Sequence, residues 1–242
     1  MIVPGAWRLD PLIVGGLVSA ALLYIEGVSR VKRAAEANGF PRRRVFYFMS
    51  GLIVVFVALQ GPIEVRADAR FSVHMVQHVL LAMVAAPLLL LGTPVTLALR
   101  ACSARTRRRV LVPFLRSRAV AVLTQPLVGW SVFVVVIWGS HYTALYEAAL
   151  GSALIHALEH LVYLATALLF WWPIVGLDPG PSRISHPARI LYLFLAMAQT
   201  AFLGLAIYSA DHVMYAHYAL VDGPVAALPI STWQGRSCGR PG

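Results

Sequence analysis

The chain has 242 residues, 59% of them apolar and only 12% charged, and its Lys and Arg outnumber its Asp and Glu by 20 to 10 for a formal net charge of +10. Soluble domains carry roughly 45–50% apolar and 25% charged residues, so this composition excludes an ordinary soluble domain and predicts a membrane protein. Two cysteines, Cys102 and Cys238, exclude a disulfide framework and a Cys-x-x-Cys metal site, and basic residues beside apolar runs follow from the positive-inside rule, with no nucleic acid as partner.

Spans of about 20 apolar residues are the unit to count. The N-terminus lacks the basic region of a cleavable signal peptide, so the first run, about residues 11–28 with Glu26 near its inner end, is expected to stay in the protein. A short loop with Arg30, Lys32, Arg33, Arg42, Arg43 and Arg44 follows. The positive-inside rule makes that loop cytoplasmic and the N-terminus external. The second span, about residues 45–61, returns outward to Gly61-Pro62, and Glu64, Arg66, Asp68 and Arg70 lead into the third.

The third span, FSVHMVQHVLLAMVAAPLLLLGTP, covers residues 71–94 and descends to a second basic loop with Arg100, Arg105, Arg107, Arg108, Arg109, Arg116 and Arg118. The two loops agree on one orientation. Span four, about residues 119–139, rises to an outer loop that holds His141 and Glu147. Span five, about residues 153–175, carries HALEH at residues 156–160 near its outer start and ends at Trp171, Trp172 and Pro173, whose aromatics suit an inner interfacial belt. After a turn-rich loop with Arg183, His186 and Arg189, span six covers about residues 190–210 and ends in DHVMYAHY. Without strand alternation, the expectation is an all-α, six-span transmembrane bundle over residues 1–222, with residues 223–242 as a disordered or aberrant tail.

Histidines are distributed unevenly on this topology. His74, His78, His141, His156, His160, His212 and His217 fall on the outer side, and only His186 falls inside. His74 and His78, like His156 and His160, are four residues apart, so each pair stacks on one helix face about a turn apart. Ionisable groups in membrane segments are costly and face a bundle interior or an aqueous cavity. Imidazole suits copper, zinc, iron and nickel, and thioethers favour copper(I). Met75 and Met214 stand where the imidazoles cluster, while Glu159 and Asp211 can orient the rings or bind. The expected metal ligands are His74, His78, His156 and His160 first, then His212 and His217 with Met75 and Met214, and His141 last.

The phrases FSVHMVQHVLLAMVAAPLLLLGTP, HALEHLVYLATALLFWWPIVG and DHVMYAHY resemble the signatures of CtaG-type cytochrome c oxidase assembly proteins. The resemblance covers most of the chain from span two to span six. It implies a polytopic assembly factor of the cell membrane that helps deliver copper, as Cu(I), to a haem-copper oxidase. The matching histidine pairs are then candidate copper ligands on an extracytoplasmic face. Oxidase subunits, a soluble extracytoplasmic copper chaperone and membrane lipid are the implied partners, and no catalytic residue is implied. The family also implies a seventh span; here STWQGRSCGRPG follows instead, which reads as a truncation or frameshift. Three alternatives stay open: a bis-histidine membrane haem protein, an intramembrane zinc hydrolase of the ceramidase-like type, and a metal-free scaffold for oxidase subunits.

Overall fold

Hydrocarbon offers a backbone no hydrogen-bond partner, so each apolar run must close its own ladder of N–H and C=O groups. The computed structural model, which describes residues 7, 9–34, 39–67, 70–142, 151–180 and 184–209, is accordingly helical, with no strand among the described residues. Its long helices are α1 (Pro11–Ala34), α2 (Arg42–Gln60), α3 (Phe71–Ala101), α4 (Pro126–Tyr142), α5 (Ala153–Val175) and α6 (His186–Tyr208). Five of them, all but α4, are long and apolar enough to cross a membrane; α4 is equally apolar but has 17 residues. The expected helical bundle is therefore what the chain forms. The tail 223–242 lies outside the described residues.

Several boundaries differ from the sequence reading. Span four does not run unbroken over residues 119–139. A short helix, Arg118–Leu123, is capped by the Ser117 hydroxyl, which accepts from Val120 N at 3.3 Å, and it stops where the Thr124 hydroxyl donates back to the Val120 carbonyl at 2.7 Å. Pro126 then starts α4, because proline lacks the N–H that a helix interior requires but not the one its first turn leaves unpaired. At the other end of the chain, α1 continues past Val28 to Ala34, so Glu26 lies inside the helix, paired with Arg30 at 2.8 Å and Arg33 at 3.1 Å. His186 and Arg189 belong to the first turn of α6 and not to a loop.

The largest difference is in α3. Residues Leu80–Ala85 form a π-helical turn, and a second π turn at Arg107–Leu111 has the same sequel, a proline two residues on. The cause is local: the ring of Pro87 cannot bond the carbonyl four residues back and crowds it, and the wider π turn relieves that crowding. One carbonyl so displaced, that of Ala82, accepts the Trp171 indole N–H at 2.9 Å. Trp171, expected in an interfacial belt, thus spends its polar group tying α5 to α3.

Around α3 the other helices assemble. Its most apolar window is 44% buried, against 6% for α1, which marks it as the axis of the bundle. Val55 and Ala58 of α2 pack on Leu81, Ala85 and Leu89. On the opposite side Ala82 and Ala86 meet Phe133 and Ile137 of α4, Tyr163, Ala167 and Phe170 of α5, and Tyr192, Ala196 and Leu203 of α6. Past Gly92, buried Thr93 takes a left-handed conformation at φ 50°, a strained state for a β-branched residue. Its surroundings hold it: Arg44 donates to its hydroxyl at 3.1 Å, and Tyr24 donates to the Gly92 carbonyl at 2.6 Å. Asp178 accepts from Thr96 N at 2.7 Å and Val95 N at 3.3 Å, capping the helix that restarts at Pro94.

Close helix approach depends on small residues, and in the contact of α4 with α5 a glycine meets the backbone of the facing helix. A Cβ on Gly129 would lie 2.8 Å from the Leu169 carbonyl oxygen, whereas one on Gly204 of α6 would meet nothing within 4 Å among the described residues. Gly129→Ala is therefore expected to lower stability by about 1–3 kcal/mol, since backbone has to move. Gly204→Ala should be neutral or add up to ~1 kcal/mol from helix propensity. Thermal unfolding of the two variants in detergent checks the contrast.

Candidate metal centre

Three helix ends meet at the end of the bundle remote from the Gly92–Thr93 break. The first two turns of α3 carry His74, Met75 and His78; the first two turns of α5 carry His156, Glu159 and His160; the last turn of α4 carries His141. Because α3 and α5 both start here, their paired histidines enter the same interhelical space at the same depth. The two N-termini bring the positive ends of two helix dipoles, which oppose a cation. The C-terminal end of α4 and the Glu159 carboxyl provide the compensating negative potential.

All of these imidazoles are inside the protein: His74, His78, His141, His156 and His160 are each at most 9% exposed. The rings within each pair lie 4.3 Å apart by centroid, and across the pairs His74 is 5.3 Å from His156 and 6.3 Å from His160, while His78 is 5.7 Å from His160. One donor atom each from His74, His156 and Glu159 falls within 4.8 Å of the other two. That set, two imidazoles and a carboxylate, has the donor chemistry that a borderline cation such as zinc or copper takes.

Polar satisfaction points the same way. Both ring nitrogens of His78, Nε2 of His160 and Oε2 of Glu159 are buried with no hydrogen-bond partner among the described residues. Each such group costs about 1–3 kcal/mol. Protein interiors normally pair these atoms, and a cation drawn to several lone pairs in one space is what would satisfy them together. The donor set therefore fits a metal ion.

Other residues at this end hold the scaffold and were not singled out from sequence. The buried Gln77 amide donates to the Ala58 carbonyl of α2 at 2.9 Å and also to the Glu64 carboxylate, fastening the short helix Pro62–Ala67 and α2 to α3. The Tyr163 ring stacks on His78 at 4.0 Å, and its hydroxyl shares a hydrogen bond with Ser140 at 2.6 Å. Tyr163 lies three residues after His160 and seven after His156, a helical spacing that is the available sequence signal for it.

Of the expected ligands, then, the structure brings together His74, His78, His156 and His160, with Glu159 beside them. His141, ranked last from sequence, is part of the same cluster: its ring is 6.3 Å from His78 and its Nε2 is 3.2 Å from the Met75 sulfur. His186 stands apart, at the start of α6. His212, His217, Met214 and Asp211 lie outside the described residues.

Comparison with known proteins agrees with the motifs. A family model described as cytochrome c oxidase caa3 assembly factor (Caa3_CtaG) matches residues 22–235. Among curated relatives, an uncharacterized protein of Mycobacterium leprae is 32% identical over 218 residues, which is 88% of this chain and 33% of the relative. Uncharacterized proteins of Mycobacterium bovis and Mycobacterium tuberculosis are each 32% identical over 207 residues, 83% of this chain and 31% of theirs. The chain thus spans about a third of the length of these relatives. No solved structure matches it.

The ring nitrogens of His78, without a hydrogen-bond partner among the described residues, allow a test of whether the side chain is there for stability. In chelator-treated protein His78→Leu should unfold no more easily than the parent, and is expected to gain up to ~1–3 kcal/mol, because a buried unsatisfied group is replaced by an apolar one. A structural histidine would lose stability on the same change. Thermal unfolding of the metal-free proteins in detergent distinguishes the two.

Proposed function

The chain belongs to the cytochrome c oxidase caa3 assembly factor family, and from that premise we propose that it assists oxidase assembly by holding copper transiently at its histidine end and passing it on. The observation that carries this reading is the convergence of two i, i+4 imidazole pairs from α3 and α5, with ring centroids 4.3–6.3 Å apart in the pairs that meet. Such spacing lets ring nitrogens from both helices reach one metal ion at bonds of about 2.0–2.1 Å.

The arrangement also fits a carrier. His74, His78, His156 and His160 bind and orient; α3, α5 and the Trp171 to Ala82 bond keep the pairs facing each other. Helix packing around the rings excludes water and competing ligands. Copper here is cargo, so the site has to be selective without being irreversible, and neutral nitrogen donors next to a single carboxylate meet that requirement better than a thiolate cage.

Charge supports a sidedness. The arginines at positions 100, 105, 107, 108, 109, 116 and 118 lie beyond the Gly92–Thr93 break, remote from the histidines along α3. With that end cytoplasmic by the positive-inside rule, the histidine end opens on the extracytoplasmic face of the cell membrane. There an oxidase subunit and a soluble copper chaperone are the natural receiver and donor, and the apolar helix faces meet lipid.

One observation favours a second reading. Glu159 close to His74 and His156 forms a His, His, carboxylate set, the ligand pattern of zinc hydrolases. Metal-dependent lipid hydrolysis by the purified protein would decide for it.

Copper content tests the main reading. In a variant combining His74→Ala, His78→Ala, His156→Ala and His160→Ala, bound copper should fall to background, and the variant should fail to restore oxidase activity in cells lacking the native protein. Glu159→Gln should weaken binding by about 10–100-fold, the usual effect of losing a metal-orienting or secondary group. Unchanged copper stoichiometry in the quadruple variant would overturn the site, and rescue of oxidase assembly without copper binding would favour a scaffold.

A further inference from the structure

His141 and Met75 face each other in a way that packing alone does not explain. His141 Nδ1 lies 2.7 Å from the Ile137 carbonyl oxygen, one turn back on α4. A carbonyl only accepts, so Nδ1 carries the proton of the neutral ring, and Nε2 carries the lone pair. That lone pair points at the Met75 sulfur, 3.2 Å away. Thioether sulfur is a weak acceptor with no proton to offer, so in this tautomer the contact is two lone pairs brought face to face.

Two donor atoms so placed have the bite of a chelate. With bonds of roughly 2.0–2.3 Å, neighbouring ligands on a tetrahedral metal stand about 3.3–3.7 Å apart, close to the separation of Nε2 and Sδ. A third donor is near: the His78 ring is 6.3 Å from that of His141, and neither of its nitrogens has a hydrogen-bond partner among the described residues. The hydrogen bond from His141 Nδ1 to a backbone carbonyl is also the outer contact that metal-bound histidines characteristically make, fixing ring and tautomer before the metal arrives.

Resting on the copper reading above, we infer that the cluster contains a second, softer metal position, made by His141 Nε2, Met75 Sδ and His78, and that it takes Cu(I). The first position, at His74, His156 and Glu159, includes a hard carboxylate oxygen and accepts zinc as well as copper. The second contains a thioether and no carboxylate, a set that discriminates for Cu(I) against Zn(II). His78 sits in the same pair as His74, with ring centroids 4.3 Å apart, so one helix turn of α3 joins the two positions. Copper moving between them exchanges one imidazole of that pair for the other. No proton needs to leave at His141, whose Nδ1 proton is retained by Ile137.

The full chain, purified in detergent and loaded anaerobically with Cu(I) or with Zn(II), tests this by X-ray absorption at the metal edge and by binding stoichiometry. The Cu(I) form should show a sulfur neighbour, and Met75→Leu should remove that sulfur and one equivalent of copper while leaving Zn(II) binding unchanged. Retained Zn(II) binding reports that the near-isosteric variant is folded. His141→Phe should give the same selective loss. Copper bound with no sulfur neighbour in the parent, or with sulfur and stoichiometry unaltered in Met75→Leu, would overturn the second position and leave the first intact. Failure of the parent to bind copper at all would overturn both.

Discussion

The close apposition of α3 and α5 is the contact on which the histidine end depends. Two helices bring short polar side chains together only if their backbones come near, and here the facing positions are small: Ala82 and Ala86 on α3 and Ala167 on α5 are essentially buried. In lipid no hydrophobic drive separates helix from tail, so this packing and a few interhelical hydrogen bonds carry the association. The Trp171 to Ala82 bond is one of them, and it exists because Pro87 forces a π turn that frees a carbonyl. A proline thirteen residues from His74 in sequence thereby helps set where the imidazoles of α3 face those of α5.

The histidine cluster is costly to bury. Five buried imidazoles and a carboxyl occupy one region, and several of their polar atoms lack a hydrogen bond among the described residues. Buried polar networks stabilise when every member is satisfied and destabilise otherwise. Placing this one on the terminal turns of helices that are anchored elsewhere by large apolar clusters lets the fold tolerate the cost. Donor atoms held apart from their usual partners are also the ones that answer most strongly to an added cation, which is the chemical basis of the copper reading proposed above.

The opposite end is organised by different forces. Tyr24, Arg44, Thr93 and Asp178 form a polar lock, buried except at Arg44, around the break in α3. The lock holds the strained Thr93 backbone, caps the helix that follows it, and places the arginine-bearing segment beyond. The arginine-bearing segment and the histidine cluster thus lie at opposite ends of this chain's bundle, joined by α3, which contributes to both.

The amino-acid sequence by itself determined the class, the approximate spans and the histidine pairs. Those follow from local quantities: length in apolar residues, the 3.6-residue period, and the placement of arginines. The motif blocks at residues 71–94 and 156–176 were enough to indicate the family. Tertiary structure decided what the pairs do to one another. Spacing places His74 above His78 but says nothing of the rotation of α3 relative to α5, which depends on Ala82, Ala86, Ala167 and Trp171 acting across the gap. His141 looked like a solitary loop histidine because its partner, Met75, is 66 residues away in sequence, and only the packing of α4 brings the nitrogen of one to the sulfur of the other. The π turn, the restart of α4 at Pro126 and the Asp178 cap were similarly hidden, since each is a response of the backbone to a neighbour that hydropathy does not register.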